Sequence, residues 1–241
     1  MCGICGEFGI TDPPSLERVA DLTHLMRRRG PDDEGLWTDD THCALGFRRL
    51  SILDLSPAAH QPMLTPDGRY VLVFNGEVYN FGELRAELEQ RGWRFRSTGD
   101  AEVVLCALAE WGVKALERFN GMFALAFYDT LEKTLLLARD PPGIKPLYYA
   151  RAPQGLIFAS QYDQIIHHPW TRGFQVSGEA LHLYLSLGYL PSPYALLDNT
   201  YMLEAGTWLQ VALDGRIQQG RFFEFPKFAE PTLHGQEAYE A

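Results

Sequence analysis

The chain has 241 residues, 46% of them hydrophobic and none in a low-complexity tract, so it can bury one core with at most a short appendage. Its 31 acidic residues outnumber 21 scattered basic ones to give a net charge of −10, which argues against a nucleic-acid or anionic-membrane partner. No apolar run is long enough to cross a bilayer, the N-terminus lacks the regions of a signal peptide, and four cysteines are too few for a disulfide framework. The expectation is a cytoplasmic protein with free thiols and no membrane partner.

Residues 3–10 read as a short strand, after which Leu16, Val19, Ala20, Leu22, Leu25 and Met26 recur at helical spacing up to Gly30-Pro31. Ala44–Leu50 and Tyr70–Phe74 read as strands, with turn chemistry at Thr65-Pro66-Asp67-Gly68 between them. Asn75-Gly76 then closes the second strand as a tight turn. Asn80 with Glu83 marks a helix start, Leu84 and Leu88 give it an apolar stripe, and Gly92 ends it. A second helix opens at Asp100 and buries Val103, Val104, Ala107, Leu108 and Trp111. Met122–Tyr128, Thr134–Ala138, Leu147–Ala150 and Leu156–Ala159 are four strand-like runs whose short links favour antiparallel pairing. Ser177–Leu187 reads as a helix, and Thr207–Leu213 with Ile217–Phe225 as a hairpin around Asp214-Gly215. Beyond Pro226 the pattern fades, and residues 227–241 read as a linker or tail. Strands in runs and helices in separate blocks predict an α+β layered domain.

Cys2 carries the sharpest chemistry. Initiator methionine is commonly removed before a small residue, which would leave Cys2 with a thiol and an α-amine on adjacent carbons. An α-amine has an unperturbed pKa of roughly 7.7–8.0, so it can take the thiol proton without help from a histidine. The alternative is an ordinary residue in a frayed terminus. Cys2-Gly-Ile-Cys5 also has C-x-x-C spacing, but no second pair completes a zinc site and no βαβ pattern surrounds it. His167-His168 reads as loop, Arg48 as a solvated charge, Cys43 and Cys106 as small buried hydrophobes, and Phe222, Phe223 and Phe225 as core or interface.

Seven stretches in order then matter together: Met1-Cys-Gly-Ile-Cys-Gly6, Arg29-Gly-Pro-Asp-Asp-Glu-Gly35, Arg48-Arg-Leu-Ser-Ile-Leu-Asp-Leu55, Gln61-Pro-Met63, Phe74-Asn-Gly-Glu-Val-Tyr-Asn80, Thr98-Gly-Asp-Ala-Glu102 and Gly143-Ile-Lys-Pro-Leu-Tyr148. On these the chain resembles the glutaminase half of glutamine-hydrolysing asparagine synthetases, class II glutamine amidotransferases with an N-terminal nucleophile. The resemblance implies a four-layer αββα sandwich of two antiparallel sheets over residues 2–225, with 226–241 a linker or tail toward a synthetase domain. It also implies hydrolysis of L-glutamine by Cys2, with Asn75 and Gly76 donating to the oxyanion. Arg49 would hold the α-carboxylate, Glu77 and Asp100 the α-ammonium, and Leu50, Ser51, Ile52 and Leu53 would line the pocket. The bland readings are a solvated charge for Arg49 and a helix N-cap worth about 1 kcal/mol for Asp100.

No cofactor or metal is expected within these residues. ATP and Mg belong to the synthetase domain or subunit that accepts the ammonia, since neither a Ser-Gly-Gly-x-Asp-Ser nor a G-x-x-x-x-G-K-[ST] loop occurs. A homodimer is compatible with this reading. The competing functions are a non-catalytic, regulatory glutamine-binding domain and a glutaminase subunit serving a different amide-forming or lactam-forming synthetase. Pro142 and Gln161 depart from the family pattern, where an aromatic and an acidic residue are usual.

Overall fold

The computed structural model describes residues 1–51 and 56–226. Ile52 and Leu53, expected in the pocket, and the tail over 227–241 lie outside the described residues.

Two antiparallel sheets face each other. In the first, β10 (Thr200–Met202), β8 (Tyr148–Ala152), β9 (Gly155–Ala159), β1 (Gly3–Gly9), β3 (Cys43–Arg49) and β2 (Asp33–Thr38) lie in that spatial order. The second runs β12 (Ile217–Arg221), β11 (Thr207–Ala212), β7 (Thr134–Arg139), β6 (Gly121–Asp129), β5 (Tyr70–Val78) and β4 (Met63–Leu64). Successive side chains of a strand point to opposite faces, and three apolar layers follow from that alternation. Between the sheets lie Ile4 and Phe8 of β1, Leu45 and Phe47 of β3, Val71 and Val73 of β5, and Ala124, Ala126 and Tyr128 of β6. Leu72, Phe74, Phe123 and Leu125 point the other way, against α2 (Phe81–Gln90) and α3 (Asp100–Trp111). Cys5, Ala44 and Ile157 pack against α1 (Leu16–Leu25) and α4 (Tyr162–His167). The result is the expected αββα sandwich.

Several elements depart from the sequence reading. Asn75-Gly76 is not a turn: β5 continues through it to Val78 in register with Met122 and Gly121 of β6. β2 follows directly on Gly30-Pro31, whose turn chemistry hides it, and it is an edge strand with one face half exposed. Arg48 is buried, giving Nε to the Gly30 carbonyl at 2.8 Å and pairing with Glu34, so it braces the start of β2 rather than sitting in solvent. His168 is buried as well. Its Nε2 meets the Glu7 carboxylate at 2.7 Å, a partner 161 residues away that local spacing could not reveal. The same carboxylate accepts Arg18 Nε and Nη2 and the Ser15 N–H, each at 2.8 Å.

Cys43 and Cys106 are buried, as expected. Phe222 stacks on Phe123, while Phe223 and Phe225 remain exposed. The last helix, α5 (Gly178–Leu187), buries only Ala180 and leaves Leu181, Tyr184, Leu185 and Leu187 exposed, Leu185 to 75%.

Candidate active site

The apolar intersheet layer gives way to chemistry at one end of the sandwich. Cys2 continues the inward face of β1 behind Ile4, Arg49 that of β3 behind Phe47, and Asn75 and Glu77 that of β5 behind Val73. Strand register brings them together, because Gly3 pairs with Arg48 and so Cys2 falls beside Arg49. Cys2, Arg49, Leu50, Asn75, Gly76, Glu77 and Asp100 line one cavity of about 110 Å³, with Lys145 and Gln61 also in its wall. Ser51 sits apart: its N–H donates to Asp32 at 2.7 Å, and it lines a neighbouring cleft with Asp32 and His60.

The nucleophile candidate is held by its backbone. Arg29 Nε donates to the Cys2 carbonyl at 2.5 Å. The Asn75 amide is satisfied with its nitrogen donating to the same carbonyl at 3.0 Å and its oxygen accepting from Arg29 at 3.2 Å. An amide nitrogen has two hydrogens, so one remains for another acceptor. Arg29 thereby fixes both Cys2 and the rotamer of Asn75. It stood first in a matching stretch, but nothing local signals that its side chain reaches back 27 residues. The Cys2 thiol lies 3.6 Å from the Leu50 carbonyl. Burial pushes this thiol up, against the lowering influence of that carbonyl contact, the terminal amine, Arg49 and Lys145. It therefore stays a thiol at neutral pH until a base takes its proton.

The edge of β5 shows why Asn-Gly-Glu is useful inside a strand. Phe123, opposite Gly76, directs its N–H and carbonyl to Asp140, so this is a non-hydrogen-bonded pair and the Gly76 N–H points off the open edge of β5. Two residues before it, the Phe74 N–H on that edge donates to Gln61 Oε1 at 2.6 Å. Two residues after it, the Val78 N–H donates to Asp100 at 2.9 Å. Side chains thus occupy the outer two edge donors, and among the described residues the Gly76 N–H between them has no partner. A Cβ at Gly76 would come within 2.5 Å of the Met122 carbonyl, so the strand tolerates only glycine there.

Asp100 is not the cap of α3; Gly99 holds that position without a side-chain cap bond, and the Asp100 carboxylate reaches across to β5 instead. Burial raises its pKa, the Val78 N–H opposes that, and the charge of Glu77 raises it further. Two carboxylates and one arginine facing a small cavity form a pattern that complements a zwitterion. Arg49 Nη1 donates to the Ser56 carbonyl at 3.3 Å, which orients its planar fork. Among the described residues no cluster of three or more His, Cys, Asp or Glu could hold a metal ion, and no helix is long and apolar enough to cross a membrane.

A family model for the glutamine amidotransferase domain matches residues 1–223. The chain belongs to this family. This amidotransferase domain is 40% identical over 66% of its length to asparagine synthetase B [glutamine-hydrolyzing] of Escherichia coli (strain K12), and spans 29% of that protein. It is 34% identical over 92% of its length to asparagine synthetase [glutamine-hydrolyzing] 1 of Bacillus subtilis (strain 168), and spans 35% of it. A relative from Mycobacterium bovis is 38% identical over 97% of this chain and is spanned to 38% of its length. The chain thus spans between 29% and 38% of the length of these three relatives. Among solved structures, the glutamine phosphoribosylpyrophosphate amidotransferase from B. subtilis has the same fold, with a TM-score of 0.65 at 18% identity over 92% of this chain and 49% of that one.

Proposed function

We propose that this amidotransferase domain hydrolyses the side-chain amide of L-glutamine with Cys2 as N-terminal nucleophile, and supplies the ammonia to a synthetase that makes asparagine. The observation that carries this reading is the convergence of Cys2, the Asn75 amide, the open Gly76 N–H, Arg49, Glu77 and Asp100 on a single cavity. Arg49 holds the α-carboxylate of glutamine through two parallel hydrogen bonds, and Glu77 and Asp100 hold its α-ammonium.

Once Met1 is removed, the Cys2 amine takes the thiol proton as sulfur attacks the amide carbon. The Asn75 amide and the Gly76 N–H donate to the oxygen as it becomes anionic. Collapse returns the proton to nitrogen, ammonia departs and a thioester remains. Water, deprotonated by the same amine, then releases glutamate and the thiol.

The acceptor is argued from the relatives: those named above are asparagine synthetases [glutamine-hydrolyzing]. Glutamate release is to be measured with the purified chain after mass spectrometry shows loss of Met1, with and without aspartate and ATP. Release independent of both is the expected outcome. Glutamine binding without release would make this a binding domain, and release coupled only to another carboxylate would reassign the acceptor.

A further inference from the structure

Lys145 belongs to none of the roles above, yet it lines the same cavity as Cys2 and is only 7% exposed. Among the described residues no carboxylate or hydrogen-bond partner holds its ammonium. A buried charge without a counter-charge is costly, so the surroundings must hold it in place.

Arg139 at the end of β7 and Asp140 just after it fix the Lys145 backbone through their buried side chains. Asp140 Oδ2 accepts the Lys145 N–H at 2.9 Å and the Phe123 N–H at 3.1 Å, and Oδ1 accepts the Ile144 N–H at 2.8 Å. Arg139 Nε donates to the Lys145 carbonyl at 2.9 Å, while its other nitrogens donate to Gly143 and Leu203 carbonyls, each at 2.7 Å. Both sides of Lys145 are thus clamped. Ile144, its neighbour, is turned outward and exposed.

Resting on the glutaminase reading, we infer that Lys145 is a positioning residue for glutamine hydrolysis: its ammonium, carried on a clamped backbone, biases the thiol and amine that share its cavity toward their deprotonated, reactive forms. Among the described residues, the other charges near the thiol and the terminal amine are Arg29 and Asp32 from the link after α1, Arg49 from β3, Glu77 from β5 and Asp100 from α3. Glu77 and Asp100 oppose the thiolate, and on this reading glutamine's ammonium neutralises them while its carboxylate occupies Arg49. Among the described residues of the cavity wall, Lys145 is then a side-chain cation that substrate does not neutralise. Burial sets the net direction for both groups, raising the Cys2 thiol and lowering the terminal amine of Met1, and the charge of Lys145 is a smaller influence that lowers each.

The test compares wild type with Lys145→Met and Lys145→Arg after confirming matched melting temperatures. Two pH profiles are measured: kcat and KM for glutamate release, and the rate of Cys2 alkylation by iodoacetamide, which needs no turnover. Rate rises as the thiol–amine pair loses its proton, so removing a nearby cation moves the midpoint up, by roughly one unit, with about tenfold less rate below it and KM little changed. Lys145→Arg should restore the wild-type midpoint. An alkylation midpoint that stays put in Lys145→Met overturns the inference, as does a loss confined to KM. A processed wild type that alkylates normally but releases no glutamate instead sinks the glutaminase reading, and the alkylation profiles still decide the role of Lys145.

Discussion

Two buried charged clusters lie on the two faces of the same strand, and they are built to opposite ends. Glu7 points outward from β1 and is fully buried, with both carboxylate oxygens saturated by Arg18, Ser15 and His168. His168 Nδ1 accepts the Trp170 N–H at 3.1 Å, so the ring hydrogen is on Nε2 and a neutral imidazole suffices. This cluster ties β1 to α1 and to the turn at Pro169–Thr171, and leaves nothing for a ligand. Cys2, at the end of the same strand, points inward to a cavity where, among the described residues, the Gly76 N–H and the Lys145 ammonium are unmatched. Saturated charges lock a fold; unsaturated ones at the end of a core can bind and react.

The comparison breaks if substitutions in the cavity unfold the protein or those around Glu7 slow chemistry. Cys2→Ala should have the largest effect, abolishing glutamate release while leaving the thermal midpoint unchanged, as read by enzymatic assay and calorimetry. Glu7→Gln should lower unfolding free energy by about 3–5 kcal/mol in denaturant titrations, because it strands Arg18 and the His168 donor, yet folded protein should keep its kcat. Burial raises the pKa of Glu7, but the bonds from His168, Arg18 and Ser15 outweigh it and hold the group below its ordinary value. Its contribution is therefore fully present above about pH 4.3 and is lost as pH falls through the depressed folded value, so the wild-type advantage over Glu7→Gln should shrink in acid. Asn75→Ala should reduce kcat about 10²-fold with KM nearly unchanged, as removal of one oxyanion donor does. His168→Phe should leave turnover unaltered and cost about 1–3 kcal/mol for each of the two buried bonds it removes, to Glu7 and from the Trp170 N–H. A kcat loss in that variant would mean the two clusters are coupled through β1.

How legible this was depended on the range of the interaction. Strand alternation in Tyr70–Phe74 and Met122–Tyr128 gave the sheets, and the helical stripes of α1 and α3 gave the outer layers, because these are local periodicities. The motifs named the residues that meet in the cavity, Cys2, Arg49, Asn75, Gly76, Glu77 and Asp100. What escaped was long-range: the reach of Arg29 back to Cys2, the pairing of His168 with Glu7, and the clamp that Arg139 and Asp140 put on Lys145. Asn75-Gly76 misled for a related reason. The dipeptide favours a turn on its own, but the ladder with β6 holds it extended and converts its glycine into an edge donor.

The exposed leucines and tyrosine of α5 have a consequence for handling the molecule. An uncovered apolar helix face favours self-association, and here the countervailing force is the mutual repulsion of a surface carrying a net charge of −10 at pH 7. That repulsion vanishes near the isoelectric point of about 5.1 and is screened by salt. Colloidal stability should therefore be greatest in dilute buffer well above neutrality, and turbidity on acidification should fall when Leu185 is replaced by a charged residue.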